Sequence, residues 1–292
     1  MNPSILTIGK FEGIHRGHKV LLQDVARRAK DAKLKPVVVV FDPHPFKLLR
    51  DPDYKSLFTA DERVKLIHET GVKHIVSYPF DADFADLSAG DFCRKVFEEL
   101  HPREIIVGEN YRFGRNREGD VEFLRKEAAK NACYVQVFKT IGDISTSKIR
   151  EHLELHEMEA AEGLLGFPFF ICGEVAHGKK LGRTLGFPTM NIYPADEKFL
   201  PPCGVYETRT LLNGSSAFMQ SVTNIGLRPT VSDDVQITVE THILTLSAGA
   251  NELYGKQIKV EFLRFIRPER RFASTDELKA QILQDIEELV GR

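Results

Sequence analysis

Two histidines, His15 and His18, stand close together near the amino terminus, in the stretch GKFEGIHRGH. An apolar run over Ile5–Ile8 precedes them, and a helical pattern follows from near Gly17. The first turn of a helix has unpaired backbone N–H groups and about half a positive charge, so it attracts anions. Imidazole N–H groups donate to phosphate oxygens, and a glycine between them lets a phosphate approach the backbone. The stretch predicts a phosphate site, although H-x-G-H alone is also typical of a tight turn with surface histidines.

A second group of possible phosphate ligands lies in the stretch ISTSKIR. The hydroxyls of Thr146 and Ser147 stand at the start of a predicted helix, and Arg150 follows one turn later. Hydroxyls and cations at a helix N-terminus suit a phosphate group. An ordinary N-cap uses the same residue types, so the stretch leaves both interpretations open.

The second half of the chain contains a glycine-rich segment with cations, GEVAHGKKLGRTLGFPTMN. Gly173, Gly178 and Gly182 predict a loop whose backbone approaches another group closely, and Lys179 adds positive charge. The segment is not a P-loop, because no G-K-[ST] follows a four-residue spacer. The pattern therefore indicates a close backbone contact without identifying what it contacts.

The stretch VQITVETHIL has the alternation of a strand with one apolar face. Glu240 and His242 share its other face. A carboxylate beside an imidazole can accept a proton from a hydroxyl group. A polar strand face can equally well meet solvent, so this stretch too has two interpretations.

The two halves of the chain have different patterns of apolar residues, which predict different secondary-structure elements around these residues. Up to about Leu153, apolar runs alternate with helical patterns, which predicts a parallel sheet covered by helices. The predicted strands are Ile5–Ile8, Val37–Phe41, His74–Tyr78, Ile105–Val107 and Tyr134–Phe138. The predicted helices lie near Val20–Lys30, Ala60–Glu69, Gly90–Leu100 and Val121–Lys130, with capping boxes at Thr59–Glu62 and Ser88–Asp91. Ligands of such a sheet bind at the carboxyl ends of its strands, near Gly9, Asp42 and Gly108.

In the second half of the chain the pattern changes to predicted strands separated by turn residues, which is typical of an antiparallel barrel. These strands are Phe169–Val175, Val205–Leu212, Phe218–Thr223, Val235–Leu246 and Ile258–Ile266. The stretch HLELHEMEAAEGLLGFP predicts one connecting helix that ends at Gly166, and a terminal helix is predicted to begin at Ser274. We expect a first domain over 1–155, a linker over 156–167 and a second domain over 168–292.

Four motifs occur in the order GKFEGIHRGH, FDPHP, VGENYRFG and ISTSKIR, and the first half thereby resembles the adenylyltransferase half of bacterial bifunctional riboflavin kinase/FAD synthetases. The glycine-rich segment with PTMN, followed by CGVY, NIGLRPT and LYGK, resembles the riboflavin kinase half. The resemblance covers essentially the whole chain. It implies a Rossmann-like nucleotidylyltransferase domain and a six-stranded antiparallel barrel with a terminal helix. It also implies phosphorylation of riboflavin by ATP to FMN, then transfer of AMP from ATP to FMN, giving FAD and pyrophosphate.

The resemblance also implies residue roles. His15 and His18 contact the ATP phosphates during catalysis, and Glu240 is the base that activates the riboflavin hydroxyl. The implied ATP and phosphate ligands of the adenylyltransferase are Gly9, Phe11, Gly17, Asn110, Thr146, Ser147 and Arg150. Those of the kinase are Gly173, Gly178, Lys179, Gly182, Thr189 and Asn191, of which Thr189 and Asn191 also bind Mg²⁺, as does Asn110 in the first domain. Phe41 and Phe113 are either flavin-packing or core residues.

Two positions depart from the family pattern, since Glu12 replaces the usual Asp and Tyr111 the usual Phe. The longer acid at position 12 puts the local geometry of the turn in doubt more than the activity. We expect it to cap or position that turn.

Composition narrows the partners. The net charge of −2 gives no support to a nucleic-acid partner bound by bulk electrostatics. The four cysteines form no metal-like pair and favour a reduced, cytoplasmic protein. No apolar run is long enough to span a membrane. The expected partners are therefore riboflavin, FMN and ATP, and the sequence does not indicate an oligomeric state.

Two other classes stay open. One is another H-x-G-H nucleotidylyltransferase or class I synthetase whose barrel binds RNA, which the near-neutral charge and the lack of a K-M-S-K-S-like loop disfavour. The other is a flavin-binding regulator with decayed catalytic residues, which the intact residues His15, His18, Thr189, Asn191 and Glu240 disfavour.

Overall fold

The structure is a computed structural model, and it describes residues 3–139, 142–177, 186–229, 235–245 and 253–290. The chain divides into two compact units between Thr146 and Ser147. Within the described ranges, no helix has both the length and the apolarity that crossing a membrane would require.

The first unit alternates strands and helices. Its strands are β1 (Ser4–Ile8), β2 (Lys35–Asp42), β3 (His74–Pro79), β4 (Pro102–Gly108) and β5 (Tyr134–Phe138). Its helices are α1 (Arg16–Asp31), α2 (Pro45–Leu49), α3 (Ala60–Glu69), α4 (Ala82–Ala85), α5 (Ala89–Leu100) and α6 (Val121–Lys130), with a 3-10 turn at Arg115–Arg117. The helix α7 (Thr146–Glu154) begins where the two units meet along the chain.

The five strands form one parallel sheet in the order β3-β2-β1-β4-β5. Every residue of β1 is buried, as is the run Val37–Val40 of β2, because helices cover both faces of such a sheet. The strand order reverses direction between β1 and β4, which makes their carboxyl ends the switch point where ligands of such folds bind. The predicted parallel sheet is confirmed.

Of the two predicted capping boxes, the one at α3 forms completely, and the one at α5 forms only one of its two hydrogen bonds. Thr59 and Glu62 form a reciprocal capping box at α3. At α5 the Ser88 hydroxyl accepts from the Asp91 backbone N–H at 3.1 Å, and the Asp91 carboxylate accepts from that hydroxyl at 2.6 Å. The shorter Asp side chain therefore binds the cap hydroxyl instead of the cap backbone. The short helices α2 and α4 were not predicted, because so few residues give no helical repeat.

The second unit is a nearly closed antiparallel barrel. After the helix α8 (Met158–Leu165) come β6 (Phe170–Glu174), β7 (Met190–Ile192), β8 (Gly204–Leu212), β9 (Met219–Pro229), β10 (Val235–Ile243) and β11 (Gln257–Arg267). Their order is β6-β11-β8-β9-β10-β7. The two end strands meet where the Ala176 N–H donates to the Asn191 carbonyl at 2.8 Å. The predicted six-stranded barrel is confirmed, although the three-residue strand β7 was too short to predict individually.

Buried hydroxyls join the strands inside this barrel. The side-chain oxygens of Thr208 and Ser221 lie 2.7 Å apart, and those of Thr208 and Thr223 lie 2.8 Å apart. Thr223 in turn lies 2.9 Å from Thr241. These residues are at most 1% exposed, so their hydrogen bonds fix the strand register in an interior where an unpaired hydroxyl would be costly.

The predicted single connecting helix is wrong. α7 ends at Glu154 and α8 begins at Met158, and His156 between them has a φ of +63°. The imidazole of His156 hydrogen-bonds the Tyr206 hydroxyl at 3.0 Å and stacks on Phe265. This tertiary contact outweighs the helical pattern. The predicted end at Gly166 is confirmed, since Gly166 is the left-handed C-cap of α8.

The terminal helix α9 (Thr275–Val290) follows the barrel. Its start agrees with the prediction, because the Ser274 hydroxyl accepts from the Glu277 N–H at 3.2 Å. The buried carboxylate of Asp285 pairs with the Arg267 guanidinium of β11 at 2.7 Å. This ion pair ties α9 to the barrel wall.

Candidate active sites

The two histidines of the first unit form a stacked pair at the N-terminus of α1. His15 is the N-cap, and its Nδ1 accepts the His18 backbone N–H at 3.3 Å. The ring centroids lie 3.7 Å apart with an interplanar angle of 16°. A Cβ at Gly17 would lie 3.3 Å from the His15 ring, so the glycine makes room for the imidazole as well as for a ligand. The structure thus brings together the residues from which the phosphate site was predicted.

Both imidazoles are neutral at physiological pH. Burial lowers the pKa of His15 from 6.5 to about 4. Burial, and after it the neighbouring His15 ring, lowers the pKa of His18 well below 6.5. Because the Nδ1 of His15 accepts a hydrogen bond, its proton is assigned to Nε2, which can donate to a phosphate oxygen. The pair therefore acts as hydrogen-bond donors in a helix-terminal field, and not as two cations.

The loop between β1 and α1 is held in a strained shape. Gly9 follows β1 and donates its N–H to the Val39 carbonyl at 3.1 Å. Phe11 and Ile14 have φ values of +45° and +41°, although neither is glycine. Such conformations cost about 1–3 kcal/mol each and persist only where packing enforces them. Both side chains are fully buried, and the Phe11 ring contacts the His18 ring edge-on at 5.1 Å.

Glu12 anchors this loop to the residues that follow β2. Its carboxylate accepts the Tyr54 hydroxyl at 2.8 Å and the Leu57 N–H at 3.0 Å. The Nε2 of His44, in the FDPHP motif, lies 3.4 Å from the same carboxylate. Glu12 and His44 are both buried. The acid therefore positions the turn by joining it to the 54–57 segment.

The remaining predicted residues of this unit occupy different environments. Asn110 is exposed just beyond the carboxyl end of β4. Phe41 is half-buried in an aromatic cluster with Phe80 and Phe84. Phe113 is only 7% exposed and belongs to the core. Of the two interpretations of the phenylalanines, core packing describes Phe113, whereas Phe41 keeps an accessible surface.

Of the ISTSKIR residues, Thr146 and Ser147 lie on the first turn of α7, and Arg150 lies one turn later. Thr146 is the last residue of the first unit, and Ser147 and Arg150 belong to the second. The Arg150 guanidinium lies 4.5 Å from the centroid of the Phe199 ring. The phosphate-binding role of these residues stays a prediction.

The second unit aligns three polar side chains across three strands. Glu240 of β10 is the register partner of Asn191 in β7 on one side and of Asn224 in β9 on the other. Asn191 is 4% exposed, and its Oδ1 has no hydrogen-bond partner in the described part of the chain. An unpaired buried amide oxygen is costly unless a ligand uses it. This row thus has the composition of a binding site.

His242, two residues after Glu240, supports the predicted PTMN motif. Its Nδ1 lies 2.8 Å from the Pro188 carbonyl oxygen, to which it donates. Pro188 directly precedes Thr189, which is half-buried. Sequence reasoning missed both this contact and the place of Asn224 beside Glu240. Only the strand register reveals them, because the partners are far apart in sequence.

The glycine-rich segment is described only at its ends. Gly173 lies in β6, not in a loop, and a Cβ there would collide with the Ile192 side chain of β7. Packing in the barrel therefore requires a glycine at position 173, and the expectation that Gly173 lies in a loop is wrong. Gly178, Lys179 and Gly182 lie outside the described residues. In the described part of the chain, no cluster of three His, Cys, Asp or Glu side chains could hold a metal ion.

Comparisons with known proteins cover both units. The family model for FAD synthetase matches residues 1–152, and the model for riboflavin kinase matches residues 165–290. The chain is 38% identical to the bifunctional riboflavin kinase/FMN adenylyltransferase of Escherichia coli K12, over 99% of this chain and 91% of that protein. It is 32% identical to the enzyme of the same name from Pseudomonas fluorescens, over 97% and 90%.

A solved structure shares the fold along nearly the whole length. The crystal structure of a protein described as a macrolide-efflux protein from Streptococcus pneumoniae is 27% identical, with a TM-score of 0.86. The match covers 98% of this chain and 93% of that one. The described architecture of both units therefore recurs in a crystal structure.

Proposed function

The chain belongs to the family of bifunctional riboflavin kinase/FMN adenylyltransferases, and from this premise we propose that its barrel makes FMN from riboflavin and its α/β unit makes FAD from FMN. The single observation that carries the proposal is the match of both family models, in this order, to one chain. Each matched unit contains a polar cluster suited to its reaction. The stacked imidazole pair serves adenylyl transfer, and the row of Asn191, Glu240 and Asn224 serves phosphoryl transfer.

In the adenylyltransferase step, a phosphate oxygen of FMN attacks the α-phosphorus of ATP, and the bond to the β-phosphate breaks to release pyrophosphate. A phosphate nucleophile is already deprotonated, so the protein has to orient two anions and offset their charge. His15 and His18 donate hydrogen bonds to oxygens that gain charge, and the N-terminus of α1 adds its dipole. Gly9, Phe11 and Gly17, which the resemblance gives as ATP and phosphate ligands, lie in or beside the turn that holds the pair.

In the kinase step, Glu240 accepts the proton of the riboflavin hydroxyl while that oxygen attacks the γ-phosphorus of ATP and ADP leaves. Asn191 and Asn224 flank the carboxylate in the strand register. They can orient it and hydrogen-bond the reacting groups. His242 holds the backbone before Thr189 through the Pro188 carbonyl.

Mg²⁺ fits the second site, because the Oδ1 of Asn191 is buried without a partner in the described residues and the Thr189 hydroxyl is two residues away. Oxygen ligands, few from protein and the rest from phosphate and water, suit this ion. When bound, it neutralises charge on the transferring phosphate. In the first unit, Asn110 would supply the corresponding amide oxygen.

The proposal keeps the sequence-based domains, 1–155 for the adenylyltransferase, 156–167 for the linker and 168–292 for the kinase. The family-model bounds of 152 and 165 support this division, whereas the two compact units of the structure divide earlier, after Thr146. It also assigns both reactions to the cytoplasm, which the four free cysteines support.

The test is to incubate the purified protein with riboflavin, ATP and Mg²⁺ and to separate the flavins by chromatography. We expect FMN to appear first and FAD after it. FMN alone would leave only the kinase, and FAD formed from FMN but not from riboflavin would leave only the transferase. A reaction without any flavin product would overturn the proposal and favour the nucleotidylyltransferase or regulator classes.

A further inference from the structure

Three cations of the first unit lie on segments that follow three adjacent strands. Lys10 follows β1, Arg50 caps the end of α2 after β2, and Arg117 lies in the loop after β4. Since β2, β1 and β4 are neighbours in a parallel sheet, these segments all leave from the same edge. That edge also carries the histidine pair, at the switch point where ligands bind.

Contacts bring two of these cations to one aromatic ring. The Nζ of Lys10 lies 3.6 Å from the centroid of Phe46, and the Cζ of Arg50 lies 4.4 Å from the same centroid. A ring that carries two cations stabilises each of them and holds them close together. Phe46 therefore acts as a platform that positions both charges.

Arg117 completes the group electrostatically. The Lys10 side chain is exposed, but the surrounding protein removes part of its water shell, and this desolvation lowers its pKa to about 8. The positive charges of Arg117 and Arg50 also lower the pKa, whereas the negative charge of Glu12 raises it. Asn116 and Arg117 both have left-handed φ values, +53° and +61°. Consecutive left-handed residues that are not glycine are strained.

These three cations have no carboxylate within ion-pair distance in the described residues. Two other arginines in the loop that contains Arg117 do have such partners. Arg112 pairs with Asp120 at 3.5 Å and Arg115 with Asp86 at 3.6 Å. Glu12, the acid whose charge acts on Lys10, accepts hydrogen bonds from the Tyr54 hydroxyl and the Leu57 N–H. Three cations without ion-pair partners at one edge of the sheet create a positive potential that favours the binding of an anion.

We infer that Lys10, Arg50 and Arg117 form a second phosphate subsite beside the histidine pair. The inference rests on the proposed adenylyl transfer. Its ligand is a phosphate group other than the α-phosphate of ATP: either the phosphate of FMN, which must approach ATP against charge repulsion, or the β- and γ-phosphates of ATP, which depart as pyrophosphate. Both candidate ligands are phosphate groups. FMN binds as a substrate of the forward reaction, and pyrophosphate binds as a substrate of the reverse reaction.

The experiment measures the KM values of FMN and ATP in FAD formation and of pyrophosphate in the reverse reaction, which returns FMN and ATP from FAD. Lys10→Met removes the charge and keeps the side-chain length. We expect a KM increase of roughly tenfold, the loss expected for a charge-assisted hydrogen bond. If the ligand is the phosphate of FMN, the KM of FMN rises and that of ATP changes little. If the ligand is the leaving group, the KM of pyrophosphate rises and that of ATP rises with it. An FMN effect identifies the nucleophile's phosphate as the ligand, and a pyrophosphate effect the leaving group. Arg50→Met, at the same ring, should shift the same constant.

Two controls separate this charge effect from damage to the fold. Lys130→Met changes a lysine at the carboxyl end of α6, which precedes β5 and so lies toward the opposite edge of the sheet; it should leave all three constants unchanged. Lys10→Arg keeps a cation that stays charged above pH 8, so it should retain the affinity at alkaline pH that the native Lys10 loses. Thermal unfolding of every variant, compared with the native protein, reports folding of the first unit, since the kinase reaction belongs to the other compact unit.

The inference is overturned if Lys10→Met and Arg50→Met leave the KM of FMN and of pyrophosphate within twofold of the native protein. It is also overturned if every constant, including those of the kinase, changes together. If the native protein forms no FAD, the proposed function has failed instead, so the two failures can be distinguished.

Discussion

At the scale of single residues, burial decides the chemistry of the imidazole pair. A histidine that folding keeps neutral binds a phosphate by donating a hydrogen bond. Above pH 6 the imidazole stays neutral, so the strength of this hydrogen bond does not change with pH there. The same burial makes the first unit sensitive to acid. Burial also makes a hydroxyl without a hydrogen-bond partner in the described residues, such as that of Tyr111, energetically unfavourable.

The first prediction concerns pH. The pKa of His15 falls from 6.5 to about 4 on folding, so the unfolded chain binds more protons between these values and the free energy of unfolding decreases as the pH falls through this range. His15→Asn keeps an N-cap acceptor and removes the titration. We expect the native protein to lose about 2 kcal/mol relative to this variant between pH 7.5 and pH 5, measured by urea denaturation. Parallel curves for the two proteins would contradict the burial argument.

The second prediction concerns Tyr111, whose hydroxyl is buried without a hydrogen-bond partner in the described residues. Burial raises its pKa, with the Cys93 thiol adding to the effect. Tyr111→Phe removes an unpaired polar group and should raise the free energy of unfolding by about 1 kcal/mol. The matched control is Tyr78→Phe, which removes a hydroxyl that donates to Glu99 at 2.8 Å and should lower stability. A destabilised Tyr111→Phe protein would show that the hydroxyl has a partner.

At the scale of elements, neighbouring strands place side chains that no local pattern connects. Strand β10 carries Glu240 toward Asn191 and Asn224, and it carries His242 to the Pro188 carbonyl. A short strand such as β7 has little stability of its own. Its position therefore depends on such side-chain anchors and on the barrel bridge at Ala176.

The third prediction tests this anchor. His242→Leu removes the donor to Pro188 and should lower kcat/KM of the kinase by up to about 100-fold, since a small displacement of a positioning segment is costly. His242→Asn retains an N–H donor and should recover most of the loss. The adenylyltransferase rate serves as the folding control. Equal rates in the leucine and native proteins would remove His242 from the positioning of Thr189.

At the scale of the whole molecule, the two units form separate compact bodies along the chain. Each has its own sheet, core and polar cluster. Damage to one cluster should therefore leave the reaction of the other intact.

The fourth prediction is a double dissociation. His18→Ala should abolish FAD formation and spare FMN formation, because it removes a donor to the phosphates; one such donor accounts for about 2.7–4 kcal/mol of transition-state stabilisation. Glu240→Gln should slow FMN formation and leave adenylylation of supplied FMN unchanged. Both rates are measured by chromatography on each variant. Parallel loss of both activities in either variant would argue against separate centres.

Features that depend on neighbours along the chain could be predicted from the sequence. Apolar periodicity gave the strands and most helices, local hydroxyls and carboxylates gave the caps, and motif order gave the family. His15 and His18 were predictable together, because one turn of helix separates them. Such features need no knowledge of the fold, since residues within a few positions meet in any helix or strand.

Contacts between residues that are distant in sequence could be identified only from the folded structure. The partners of Glu12, the row around Glu240 and the contact of His242 with Pro188 all join residues that are far apart in sequence. The grouping of Lys10 with Arg50 on one ring is of the same kind. Strand order and register create these contacts, and both are set by packing of the whole sheet or barrel, which no short pattern encodes.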